Sequence, residues 1–221
     1  MKHIVIDLEM NMIPKNTPAR GICTMETIEI GAVMLDDDLQ EISSFRTYVK
    51  SEYNPVIERN ITKLTGITTD MVRNAPTFAE ALRMFTTWCL GTEDDVTVYA
   101  WSDNDFSQIT KEIRLKHYQI RPDEALLLTR EWSDFQHEFD TYLGFERQLS
   151  LTFALSMAGL EFMGHKHDAL DDARNTAGLL QIFRNPALFD LTLAKIKEAM
   201  EPTDIGISLG ELFDFSAFAF E

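Results

Sequence analysis

The order in which two hydrophobic periods appear along the chain constrains it most. Short apolar or alternating runs crowd the first fifty residues, and 3.6-residue periods dominate the remainder. His3-Ile4-Val5-Ile6 is apolar, with β-branched residues, and runs into Asp7-Leu8-Glu9; a strand fits that pattern. Residues 14–20 carry loop chemistry with two prolines. Ile28–Leu35 (IEIGAVML) reads as a second strand, and Asp36-Asp37-Asp38 as its turn. Ser44–Lys50 alternates polar and apolar as a third strand would. Three successive strands suggest an antiparallel meander.

Helical spacing then takes over. Phe78, Ala81, Leu82 and Phe85 fall at i, i+3, i+4 and i+7, behind Pro76 and a candidate cap, Thr77. Val96–Trp101 interrupts as a fourth strand and ends in Ser102-Asp103-Asn104-Asp105. Helices are expected over 106–117, 133–143, 150–158 and 168–183, with Gly144 and Gly159 suited to left-handed stops. Strands first, then helices with one strand inserted, indicate a mixed α/β domain. At 221 residues the chain can bury about 70–75% of its unfolded surface, so it needs no staple. Cys23 and Cys89 lie far apart, which fits two reduced thiols in a cytoplasmic protein. Asp7 and Glu9 interrupt the apolar N-terminal run, making it a poor signal peptide. No stretch approaches the roughly 18 apolar residues of a membrane span, so no membrane partner is expected.

Charge narrows the function. Twenty basic residues against thirty-six acidic ones leave −16. Such a surface repels polyanions at long range and argues against a duplex binder working by counterion release. It leaves room for an enzyme that holds a few phosphates through bound cations. Residues 201–221 shift in composition: five acids, no Lys or Arg, and four phenylalanines, Phe213, Phe215, Phe218 and Phe220. Exposing four such rings together is unfavourable, so this segment is expected to pack on its own domain or to contact a protein partner.

Three acidic elements carry candidate chemistry. Asp7 and Glu9 leave the same face of a strand. Carboxylates ending a buried strand call for a cation, and oxygen ligands suit Mg²⁺ or Mn²⁺. Taken alone, a strand that simply ends in two solvated acids accounts for them better, since D-x-E is common. Asp103 and Asp105 repeat the spacing after the fourth strand, where either could instead cap the next helix. His165-Lys166-His167-Asp168-Ala169-Leu170-Asp171-Asp172 opens the late helix with more acid than a cap requires. If the three elements converge, two divalent cations roughly 3.5–4 Å apart would offset the charge and clamp a phosphodiester. A histidine suits the general base for the attacking water.

These residues resemble the DEDDh 3′–5′ exonucleases, in the branch that trims small RNAs and histone-message 3′ ends and includes bacterial sporulation-inhibitor relatives. Asp7-Leu8-Glu9 matches the first motif, D-x-E. Asp105 matches the second motif's aspartate, in preference to Asp103. His167 and Asp172 match the third, H-x4-D, a spacing His165 lacks. Ile28–Val33, Leu64–Thr68 with Asn74–Phe78, Gln148–Leu151 and Ala169–Ala173 extend the similarity over about residues 2–185. The resemblance implies an RNase H-like α/β fold, a five-stranded mixed sheet flanked by helices. Its fifth strand would lie near Leu126–Thr129 or Glu131–Ser133. It also implies a nuclease domain over 1–186 and a C-terminal helix and tail over 187–221. Asp7, Glu9, Asp105 and Asp172 would hold two Mg²⁺ or Mn²⁺, with His167 as base. Backbone and side chain at Met10 and Asn11 would meet the terminal nucleotide. The expected activity releases nucleoside 5′-monophosphates from 3′ ends of single-stranded nucleic acid, RNA rather than DNA. The alternative is a nuclease-fold module acting only through protein contacts.

Overall fold

The first two strands form a hairpin longer than the sequence predicts. In the computed structural model, which describes residues 1–91, 95–130, 132–191 and 196, β1 spans Lys2–Met12 and β2 Met25–Leu35. The apolar pattern breaks at Asp7 and begins again only at Ile28. The strands nevertheless continue, because their inner polar residues find partners. Asn11 and Glu26 stand opposite each other in the register, and both are fully buried. Glu26 accepts hydrogen bonds from the Ser51 hydroxyl and from the N–H groups of Glu52, Tyr53 and Asn54. Buried polar groups survive only when satisfied in this way.

The Asp36 turn leads to β3, Glu41–Tyr48; Asp36 Oδ1 accepts the N–H groups of Asp38 and Gln40. β4 is Val96–Ala100 and β5 Trp132–Asp134. The sheet order is β3-β2-β1-β4-β5. β1, β2 and β3 pair antiparallel, while β4 runs parallel to both β1 and β5. Of the two stretches expected to supply the fifth strand, the one near Ser133 does so. Leu126–Thr129 instead lies in a helix, Pro122–Thr129, where Glu124 accepting the Arg121 N–H and Pro122 in the first turn favour helical entry.

In chain order the helices are α1 Arg59–Thr65, α2 Thr69–Arg73, α3 Phe78–Leu90, α4 Asn104–Leu115, α5 Pro122–Thr129, α6 Phe135–Leu143, α7 Leu151–Met157 and α8 Ala169–Arg184. Thr77 and Glu80 cap α3 reciprocally. Helix α6 starts two residues later than expected, because Ser133 and Asp134 belong to β5 and Asp134 caps the helix. One face of the sheet packs Ile4, Ile6 and Leu8 against Phe78, Leu82 and Phe85 of α3. The other packs Val5 and Val33 against Phe135, Phe139 and Leu180 of α6 and α8. Each fully buried phenylalanine contributes roughly 1.5–3 kcal/mol. Among the described residues no helix is long and apolar enough to cross a membrane. The Phe-rich segment 201–221 lies outside the described residues.

The approach of α8 is unusually close. A Cβ placed on Gly31 would lie 2.2 Å from the Ala169 carbonyl carbon and 2.2 Å from the Leu170 nitrogen. Only glycine leaves room for that backbone. Gly31 pairs with Asp7 across the β1–β2 register, so the helix start is seated beside the first acid.

Candidate active site

β1 delivers two acids to the α8 side of the sheet. Asp7 and Glu9 share the parity of Val5, which packs beneath α8, while Leu8 turns to the opposite core. The Leu8 N–H, between them, donates to Asp105 Oδ1 at 3.1 Å. That bond ties the first turn of α4 to β1. Asp105 is 5% exposed, whereas Asp103, at the N-cap position, is exposed and makes no side-chain cap bond. The structure therefore brings in Asp105 and leaves Asp103 outside.

Helix α8 supplies the remaining groups. Asp168 caps it, with Oδ1 accepting the Asp171 N–H at 3.2 Å, which leaves Asp172 free for another task. Asp172 Oδ2 accepts the His167 N–H at 2.8 Å. His167 has φ +64, a left-handed conformation that costs a non-glycine residue of order 1–3 kcal/mol. The preceding loop is fastened to support it. Asn175 bonds Met163 through both N–H and C=O, at 2.9 and 2.8 Å, and Asp171 accepts the His165 N–H at 2.8 Å. One ligand atom each from Glu9, His167 and Asp172 lies within 4.8 Å of the others.

The carboxyl groups hold their protons unusually tightly. Burial pushes Asp7 well above the usual carboxylate range, and Asp105, Asp172 and Glu9 add repulsion. Burial, then Asp172 and Glu29, raise Glu9 to about 9. Asp105 is raised to about 7 by burial, against the pull of the Leu8 N–H. Asp172 is raised to about 6 by burial, against its His167 bond. A set of mutually repelling carboxylate oxygens fits hard divalent cations, which would replace those protons.

Two neighbours of the acids escaped the sequence reading. Glu29, fully buried, stands opposite Glu9 and binds Arg46 Nε at 2.6 Å. The Arg46 Nη2 reaches Asp168 Oδ2 at 2.6 Å. A glutamate inside IEIGAV was the available signal; its partner on the next strand was not. Met10 and Asn11 also depart from expectation. The Met10 side chain packs with the α3-side core, away from the acids. The Asn11 amide donates to the carbonyls of Asn54 and Val56 and accepts the Glu58 N–H. Asn11 fastens the 51–58 loop, so neither side chain is directed at the acids.

Comparison with known proteins gives the family. Residues 4–180 match the family model for RNase T-type proteins, described as exonuclease. ERI1 exoribonuclease 2 of Danio rerio is 31% identical over 175 residues, covering 71% of this chain and 31% of that protein. The 3′-5′ exoribonuclease 1 of Homo sapiens is 30% identical over 183 residues, covering 78% of this chain and 49% of that protein. The chain thus spans under a third of the first relative and about half of the second. The nuclease domain of 3′hExo, a DEDDh family member bound to rAMP, superposes with a TM-score of 0.69 at 26% identity. That match covers 81% of this chain and 90% of the other.

Proposed function

This chain belongs to the RNase T exonuclease family, and from that membership we propose that it removes nucleoside 5′-monophosphates from the 3′ ends of single-stranded RNA. The carrying observation is the meeting of Glu9, His167 and Asp172 within 4.8 Å, beside an Asp105 bonded to the strand that bears Asp7 and Glu9. Exonucleases of the DEDDh type use divalent metal ions. We assign Asp7, Glu9, Asp105 and Asp172 to hold two Mg²⁺ or Mn²⁺, which when bound supply Lewis-acid stabilisation and an acidified water.

The chain's own residues do the rest. A ring nitrogen of His167 takes the proton of the attacking water, held in reach of the acids by the Asp172 bond to its backbone. Backbone at Met10 and Asn11 borders the terminal nucleotide. The negative surface disfavours long-range capture of nucleic acid, so affinity resides at the bound end of the substrate. We assign the nuclease unit to residues 1–186 and treat 187–221, with its Phe-rich end, as a separate C-terminal segment. A fold acting only through protein contacts is not favoured, since its matched relatives are exoribonucleases.

The test is cleavage of 5′-labelled RNA with Mn²⁺ or Mg²⁺. A ladder shortening from the 3′ end and mononucleotide product are expected, both abolished by EDTA. Asp7→Ala should lose Mn²⁺ binding and activity. His167→Ala should keep Mn²⁺ binding and lose about 10²–10⁴-fold in kcat. No cleavage of any single-stranded RNA with either metal would defeat the proposal.

A further inference from the structure

We propose that Arg46 is a positioning residue of this site: by gripping Glu29 and Asp168 together, it fixes the first turn of α8, and so Asp172 and His167, against Glu9. This role presupposes the nuclease function proposed above.

Arg46 projects from β3, two strands away from the acids it serves. Its Nε donates to Glu29 Oε1 and its Nη2 to Asp168 Oδ2, each at 2.6 Å. Both carboxylates use their second oxygen on α8. Glu29 Oε2 accepts the Ala169 N–H at 3.3 Å, and Asp168 Oδ1 accepts the Asp171 N–H at 3.2 Å. One guanidinium therefore joins β2, β3 and the helix start through an unbroken run of bonds. Tyr48 steadies it, with the ring centroid 5.5 Å from the guanidinium carbon. A planar fork can serve two carboxylates in this way, whereas an ammonium offers a point charge. Gly31 sets how near the helix can come; the Arg46 grip holds it there.

Removing Arg46 has two effects of opposite sign on cation binding. Uncompensated negative charge beside the acids strengthens attraction for a divalent ion. A loosened first turn of α8 scatters Asp172 and weakens it. A positioning role requires the second effect to win.

Arg46→Met, Arg46→Lys and the double variant Glu29→Gln/Arg46→Met would be made in the full chain. Three readouts apply: Mn²⁺ titration calorimetry, steady-state cleavage of 5′-labelled RNA, and amide exchange of the metal-free protein over residues 167–172. Arg46→Met should weaken Mn²⁺ binding about ten-fold and lower kcat about 10²-fold, with KM for RNA within about two-fold. Exchange over 167–172 should quicken, and Arg46→Lys should fall between. The double variant should stay within about three-fold of the Arg46→Met kcat, since the neutral amide introduced on β2 removes the unpaired buried charge but leaves Asp168 ungripped. Unchanged or tighter Mn²⁺ binding in Arg46→Met, or recovery of wild-type kcat in the double variant, overturns the proposal. If Arg46→Met does not fold, the Arg46→Lys and double variants decide by the same readouts. If the wild type neither binds Mn²⁺ nor cleaves RNA, the nuclease function fails. Exchange then decides the grip: faster in Arg46→Met supports it, and unchanged overturns it.

Discussion

Replacing Gly31 by alanine tests whether the spacing between helix and sheet governs the rate. The added methyl would lie 2.2 Å from the Ala169 carbonyl carbon and the Leu170 nitrogen, and 2.6 Å from the Ala169 oxygen. These are backbone atoms and cannot swing aside. Ordinary contact begins at 3.4 Å, so the start of α8 must retreat by about 1 Å if the strand holds. Gly31 stands opposite Asp7, so the retreat falls where Asp172 faces the β1 acids. A displacement of about 1 Å costs about 10²-fold in rate. Overpacking of this kind costs about 1–3 kcal/mol, which lowers Tm by roughly 2–12 °C in a domain of this size. The assay is kcat on 5′-labelled RNA at saturating Mn²⁺, run well below both melting points, with Tm measured alongside. Gly21→Ala is the control, since nothing lies within 4 Å of its Cβ position. A folded Gly31→Ala protein with kcat near that of the wild type would refute the reasoning, because the helix would then have moved without moving the chemistry.

Other outcomes follow from the same structure. Glu9 titrates near 9 folded and near 4.5 unfolded, so between those values the folded state holds the extra proton. Metal-free protein should therefore lose stability as pH rises through that window, by up to about 1.4 kcal/mol per pH unit, and Mn²⁺ should reverse the loss. A melting temperature that rises from pH 5 to 8 without metal would contradict this. Gly178 lies inside α8 with open space at its Cβ position. Gly178→Ala should stabilise the fold by about 1 kcal/mol in urea titration. Asn11→Ala should lower the urea midpoint by the equivalent of about 2–4 kcal/mol, because buried groups of the 51–58 loop lose their partner. Wild-type stability with a raised KM would assign Asn11 to substrate instead.

Candidate acids and a histidine could be named from the sequence, the places of Met10, Asn11, Glu29 and Arg46 could not, and the fold was legible in most of its elements. Apolar runs announced β1, β2 and β4, and periodic stretches announced α3, α4 and α8, because burial on one face leaves a pattern in the chain. Thr77 and Gly144 stand where their chemistry placed them. β5 was harder: three residues, Trp132–Asp134, carry no period, and the apolar Leu126–Thr129 nearby belongs to a helix. The hairpin's extra length was hidden because Asn11 and Glu26 look like exposed strand ends until the 51–58 loop closes over them. Arg46 was invisible as a functional residue for a similar reason. Its meaning depends on Glu29 and Asp168, which only the assembled sheet and helix bring to it.

The acids of the cup come from the first strand and from α8, with α4 between them in sequence. No cation can be shared among them until β1, α4 and α8 have assembled, so ion capture requires the native arrangement of all three. Interactions absent from the transition state leave the folding rate unchanged and slow unfolding. Loading with divalent ions would therefore lengthen the lifetime of the native molecule against proteases without hastening its return from denaturant.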